Sequence, residues 1–92
     1  MVLKRKIKIA NPQGLHARPA SNFVKIANHF QSEIMVTKGG ETVNGKSIMS
    51  LMTLAANHGS VLEIEVSGPD AEEAMKEIEL FLTNDREDGA AS

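Results

Sequence analysis

The chain has 92 residues, 41% of them hydrophobic and 24% charged, with a formal net charge of -2, which allows one globular domain around one core and places it away from disordered chains. The weak negative charge, and an aromatic set of three phenylalanines without Trp or Tyr, exclude a basic or base-stacking nucleic-acid surface. The absence of cysteine excludes disulfides, thiolate zinc sites and thiol catalysis, and no window approaches the ~20 apolar residues of a membrane span or a signal peptide's apolar run, so a cytoplasmic location without membrane insertion is expected.

From 2 to 9 the apolar residues Leu3, Ile7 and Ile9 alternate with Lys4, Lys6 and Lys8, the period of a strand with one wet face. After a loop with Pro12 and Gly14, residues Ala20, Phe23, Val24, Ala27 and Phe30 fall on one side of a helix, and Pro19 fits its first turn. Residues 32–38 and 41–44 read as strands joined by a tight Gly39-Gly40 hairpin. Asn44-Gly45 makes a further turn, and Ser47 is placed to cap a helix carrying Ile48, Leu51, Met52 and Ala55 at helical spacing, with Gly59 able to end it. Residues 61–67 set Leu62, Ile64 and Val66 against Glu63, Glu65 and Ser67 as a fourth strand. Gly68-Pro69 then leads into Asp70 and Glu73, spaced as a capping box ahead of the apolar stripe Ala71, Ala74, Met75, Ile78, Phe81 and Leu82. The order βαββαβα predicts an α+β domain over 1–84, one antiparallel sheet with its three helices on a single face, followed by a frayed tail over 85–92.

His16 stands out within Gly14-Leu15-His16-Ala17-Arg18-Pro19. A histidine just ahead of a helix lies beside backbone N–H groups without helical partners, a ready anion site for a phosphoryl group carried on the ring. Ala17 and Arg18 would supply those N–H groups, and the Arg18 side chain adds a fixed cation for phosphate oxygens. The plainer alternative is a histidine that caps the helix or sits idle in the loop.

The stretch Gly14-Leu15-His16-Ala17-Arg18-Pro19-Ala20-Ser21, followed by Gly45-Lys46-Ser47-Ile48-Met49-Ser50-Leu51-Met52, resembles the two signature regions of the HPr family, histidine-containing phosphocarriers of the bacterial sugar phosphotransferase system. The resemblance runs from about Lys6 to Leu82. It implies an open-faced β-sandwich with strand order 1-4-2-3. It also implies a relay in which enzyme I, charged by phosphoenolpyruvate, passes a phosphoryl group to Nδ1 of His16, which passes it to the A domain of a sugar permease. Such a chain is a carrier with a covalent phosphohistidine intermediate rather than a stand-alone enzyme, expected to be monomeric and without a cofactor. Ser47 matches the serine modified by HPr kinase/phosphorylase in many bacteria, although helix capping alone also accounts for a serine there. Ile48, Met49 and Met52 match the apolar docking patch; Ile48 and Met52 could equally be core residues, whereas Met49 falls off that helix face.

Three other readings are open. Residues 40–47 fit the G-x-x-x-x-G-K-[ST] phosphate loop, but Glu41, Thr42 and Val43 read as strand, and the chain is short for a wound parallel sheet. A small-molecule-sensing regulatory domain would make His16 incidental. Within the family, a regulatory branch would report carbon or nitrogen status without feeding sugar uptake. His16, His29 and His58 lack the spacing of paired metal ligands, so no metal site is expected.

Overall fold

In the computed structural model, which describes residues 1–84, seven elements follow the predicted order: β1 (Val2–Lys8), α1 (Ala17–Ala27), β2 (Glu33–Lys38), β3 (Glu41–Asn44), α2 (Ile48–Thr53), β4 (Val61–Ser67) and α3 (Ala71–Leu82). The expected frayed tail, 85–92, lies outside the described residues.

The strands form one antiparallel sheet in the order β1-β4-β2-β3. Its register aligns Ile7 with Leu62, and Val66 and Ile64 of β4 with Ile34 and Val36 of β2. Period-two alternation therefore puts every one of these side chains on the same face, where all are buried. On the opposite face Lys4 and Lys6 of the edge strand stand across from Glu65 and Glu63. That charge-laced surface needs no covering layer and discourages further strand pairing at the edge. The three helices close the apolar face: Phe23 and Ala27 of α1, Leu51 of α2, and Ala74, Met75, Ile78 and Leu82 of α3 join the sheet residues in one core. Phe23 meets Phe81 edge-on at 6.2 Å between ring centroids, a favourable arrangement of two ring quadrupoles. The result is the open-faced α+β sandwich implied by the resemblance.

Three local expectations are corrected. The helix after Ser47 stops at Thr53 instead of running toward Gly59, and Ala55 lies beyond it, exposed and left-handed at φ 51°. Phe30 lies past the end of α1 and packs half-buried against the core from the connecting turn. Asp70 precedes α3 but makes no side-chain cap. Its carboxylate instead accepts from the N–H groups of Gln31 and Ser32 at 2.8 and 2.9 Å and from the Ser32 hydroxyl at 2.5 Å. The competing donors are a longer-range set, and they fasten the α1–β2 connection to the start of α3. The Ser32 hydroxyl, the Gln31 N–H and the Ser32 N–H all favour the charged carboxylate and hold Asp70 below its ordinary value of 3.8.

Candidate phosphorylation site

His16 occupies the N-cap of α1 with an extended backbone, φ -81° and ψ -168°. Its carbonyl accepts the first helical bond, from Ala20 at 2.8 Å, while its ring makes no capping bond and is exposed. The ring is therefore not engaged in capping the helix. Ala17 and Arg18 are the first two helical residues, so their N–H groups precede the first i→i−4 bond of α1, and Pro19 in the third position carries no N–H. The first turn contains no acidic residue, so no local carboxylate opposes an anion at the positive end of the helix. Arg18 lies exposed in that turn.

The loop before His16 is held by bonds that the sequence did not single out. Buried Asn11 accepts the Gln13 N–H on its side-chain oxygen at 2.8 Å, and its carbonyl accepts the Gly14 N–H at 3.0 Å. An Asn followed by Pro and Gly is the available sequence signal for such a turn. Gly14 is left-handed at φ +65°, and a Cβ there would lie 2.5 Å from the Ala56 carbonyl oxygen. Leu15 is buried and donates its N–H to that same oxygen at 2.8 Å. Nothing in the sequence pattern pairs Ala56 with Leu15, forty-one positions away.

Ser47 is the N-cap of α2, its hydroxyl accepting the Ser50 N–H at 3.2 Å. Ile48, Met49 and Met52 are exposed at 39%, 75% and 42%, whereas Leu51 is buried. Of the two readings open for Ile48 and Met52, core or surface, the structure selects surface: a six-residue helix turned by Leu51 toward the core presents all three side chains outward. α2 packs on α1, and the chain leaving α2 reaches the His16 loop through the Ala56 carbonyl, which accepts the Leu15 N–H. Residues 40–47 do not form a phosphate loop. Glu41–Asn44 is strand β3, and the Lys46 ammonium donates to the Phe30 carbonyl at 2.7 Å. His58 lies with Nδ1 3.4 Å from the Asn11 carbonyl, and His29 lines a cleft of about 460 Å³ with Ile26, Phe30, Glu73, Lys76 and Glu77 past the far end of α1.

Residues 3–84 match the family model for the PTS HPr component phosphorylation site. The chain belongs to the HPr family. Among HPr relatives, the phosphocarrier protein HPr of Neisseria meningitidis is 52% identical over 75 residues, covering 82% of this chain and 84% of its own. The HPr-like protein Crh of Halalkalibacterium halodurans is 42% identical over 81 residues, covering 88% of this chain and 96% of its own. The crystal structure of the phosphocarrier protein HPr from Bacillus anthracis superposes with a TM-score of 0.86 at 41% identity, over 88% of this chain and 96% of that one. Crh of Bacillus subtilis, solved as a dimer with a swapped domain, gives a TM-score of 0.74 at 36% identity, over 91% and 97% of the two chains. Phosphocarriers and Crh proteins are thus both among the HPr relatives, and no helix of the described residues is long and apolar enough to cross a membrane.

Proposed function

We propose that the chain carries a phosphoryl group on Nδ1 of His16, received from enzyme I and delivered to the A domain of a sugar permease. The observation that carries this reading is the exposed His16 ring at the start of α1, not used as a cap and followed by a turn without acidic residues. In the transfer, the Nδ1 lone pair of the neutral ring attacks phosphorus. The bond from phosphorus to the donor breaks with its electron pair returning to the donor. The N–H groups of Ala17 and Arg18 and the Arg18 guanidinium then hold the phosphoryl oxygens. Delivery is the same displacement with His16 as the leaving group, so the carrier needs no metal or cofactor of its own. Ile48, Met49 and Met52 form the surface on which both partners dock in turn, and flexible methionines suit a surface that meets more than one partner. The relay operates as a monomer in the cytoplasm.

Ser47 is the regulatory position in this reading. A phosphate there would carry ~1.5 to 2 negative charges at the start of a helix, locally harmless, but beside the docking side chains a partner would have to desolvate it. The Crh relatives favour a second reading, a regulatory carrier that reports carbon status. A discharge experiment separates the two: the chain labelled from enzyme I and phosphoenolpyruvate is mixed with permease A domains. Rapid loss of label to an A domain supports the transport relay; retention of label against every A domain of the host supports the regulatory branch.

A further inference from the structure

Among the described residues, Ala55 is the one non-glycine with a left-handed backbone, at φ 51°. It follows the last turn of α2 and donates its N–H to the Met52 carbonyl at 3.2 Å. Helices that end in a left-handed residue usually place glycine there, because a Cβ crowds the neighbouring carbonyl. Its side chain is exposed, so no burial of its own offsets the strain. What the turn accomplishes lies one residue on. Ala56 is buried, and its carbonyl accepts the Leu15 N–H at 2.8 Å. Beyond it, Gly59 donates to the Ile9 carbonyl at 2.9 Å, and Ile9 donates to the Ser60 carbonyl at 2.8 Å. Residues 56–60 therefore run as a strap along 9–15, and the Leu15 bond is its contact immediately before His16. Within the 11–14 turn the bonds from Gln13 and Gly14 to Asn11 are internal, and His58 of the strap adds a longer side-chain contact, its Nδ1 3.4 Å from the Asn11 carbonyl.

We propose that Ala55 is a positioning residue for phosphoryl transfer: its left-handed turn seats the Ala56 carbonyl on the Leu15 N–H and so fixes the loop that presents His16. The proposal rests on the transfer at His16 proposed above. An in-line displacement depends steeply on placement, and a shift of about 1 Å in the attacking nitrogen is enough to cost on the order of 100-fold in rate. The docking side chains Ile48, Met49 and Met52 precede Ala55 in the chain and are carried by α2 itself. Loss of the turn accordingly lowers the rate of the transfer step and leaves partner binding in place.

The test uses the full chain as substrate for enzyme I, with kcat and KM measured alongside amide hydrogen exchange at Leu15. Glycine and asparagine accept the left-handed region, so Ala55→Gly and Ala55→Asn keep the wild-type kcat and Leu15 protection. Valine resists it most and leucine less. Ala55→Val lowers kcat by about tenfold or more with KM within about twofold, and Ala55→Leu falls between. In both, Leu15 exchanges faster while Ile64 and Val66 in the central strand keep their protection, a pattern that general destabilisation does not produce. Should Ala55→Val fail to fold, Ala55→Leu carries the comparison. Unchanged kcat and Leu15 exchange in the folded variants overturn the proposal, as does a rise in KM alone, which would place Ala55 in the docking surface. If wild-type chain accepts nothing from enzyme I, transfer at His16 is what fails, and Leu15 exchange still decides whether Ala55 holds the loop.

Discussion

Replacing Gly14 by alanine should destabilise the fold by much more than the same change at Gly39, although the two glycines have nearly the same backbone, φ +65° and +58°. The conformational cost of a left-handed residue with a Cβ, about 1–2 kcal/mol, applies to both, as does the small gain from stiffening the unfolded chain. The surroundings differ. At Gly39 a Cβ meets nothing within 4 Å, whereas at Gly14 it would lie 2.5 Å from the Ala56 carbonyl oxygen and 2.8 Å from the Asn57 Cα, both backbone atoms. Neither can swing aside as a side chain can, so the two loops must separate, at a cost of about 1–3 kcal/mol of the kind seen on overpacking a core. In a domain of this size each kcal/mol moves the melting temperature by roughly 4–8 °C, so Gly14→Ala should melt on the order of 4–24 °C below Gly39→Ala. Thermal unfolding followed by circular dichroism on both variants and wild type measures the difference. Equal melting temperatures for the two variants would refute the close packing of the His16 loop on Ala56.

Ser47→Ala should lose about 1 kcal/mol with the Ser50 hydrogen bond and keep near-normal transfer, while Ser47→Asp should keep its melting temperature and transfer more slowly; an Asp variant that melts early and transfers normally would leave Ser47 as a cap alone. Met49→Lys should change stability by less than about 0.5 kcal/mol, because the side chain is 75% exposed, yet raise KM toward enzyme I by about tenfold, which steady-state kinetics would detect. Asp70 makes stability depend on acid. Its folded value lies below the 3.8 of the free group, so its contribution is complete above that value and is lost as pH falls through the folded value. Melting temperature measured between pH 6 and 2 should therefore drop more steeply for wild type than for Asp70→Asn at the acid end, and parallel curves would contradict the assignment.

Much of the fold was legible because its signals are periodic. The alternation in β4 gave its limits, 61–67, and the glycine pair at 39–40 gave the β2–β3 hairpin. The stripe suggests a longer helix after Ser47 because Ala55 falls on it; a stripe records spacing, and nothing in spacing reveals that the chain turns left-handed two residues after the helix ends. Asp70 illustrates a different limit. Its position fits a cap, but three donors from residues nearly forty positions earlier engage its carboxylate, and tertiary partners override a local motif. At the site, the place of His16 at a helix start was readable from Pro19 and the stripe beyond it. The Leu15–Ala56 tie that fixes the loop was not, since a backbone-to-backbone bond leaves no mark on residue type. Ile48 and Met52 were ambiguous for a related reason: on so short a helix, whether a side chain meets the core depends on the tilt set by Leu51, which composition does not encode.

In the proposed relay His16 is the residue that carries the phosphoryl group. Wild type and His16→Ala, both shown by circular dichroism to be folded, are incubated with enzyme I, magnesium and phosphoenolpyruvate, and each is weighed intact before and after brief acid treatment. His16 is exposed and makes no capping bond, so the alanine change should leave the fold standing. Wild type should gain one phosphoryl group, lost in acid as a phosphorus–nitrogen bond is, and His16→Ala should gain none. Equal phosphorylation of the two proteins, or an acid-stable group on wild type, would contradict it.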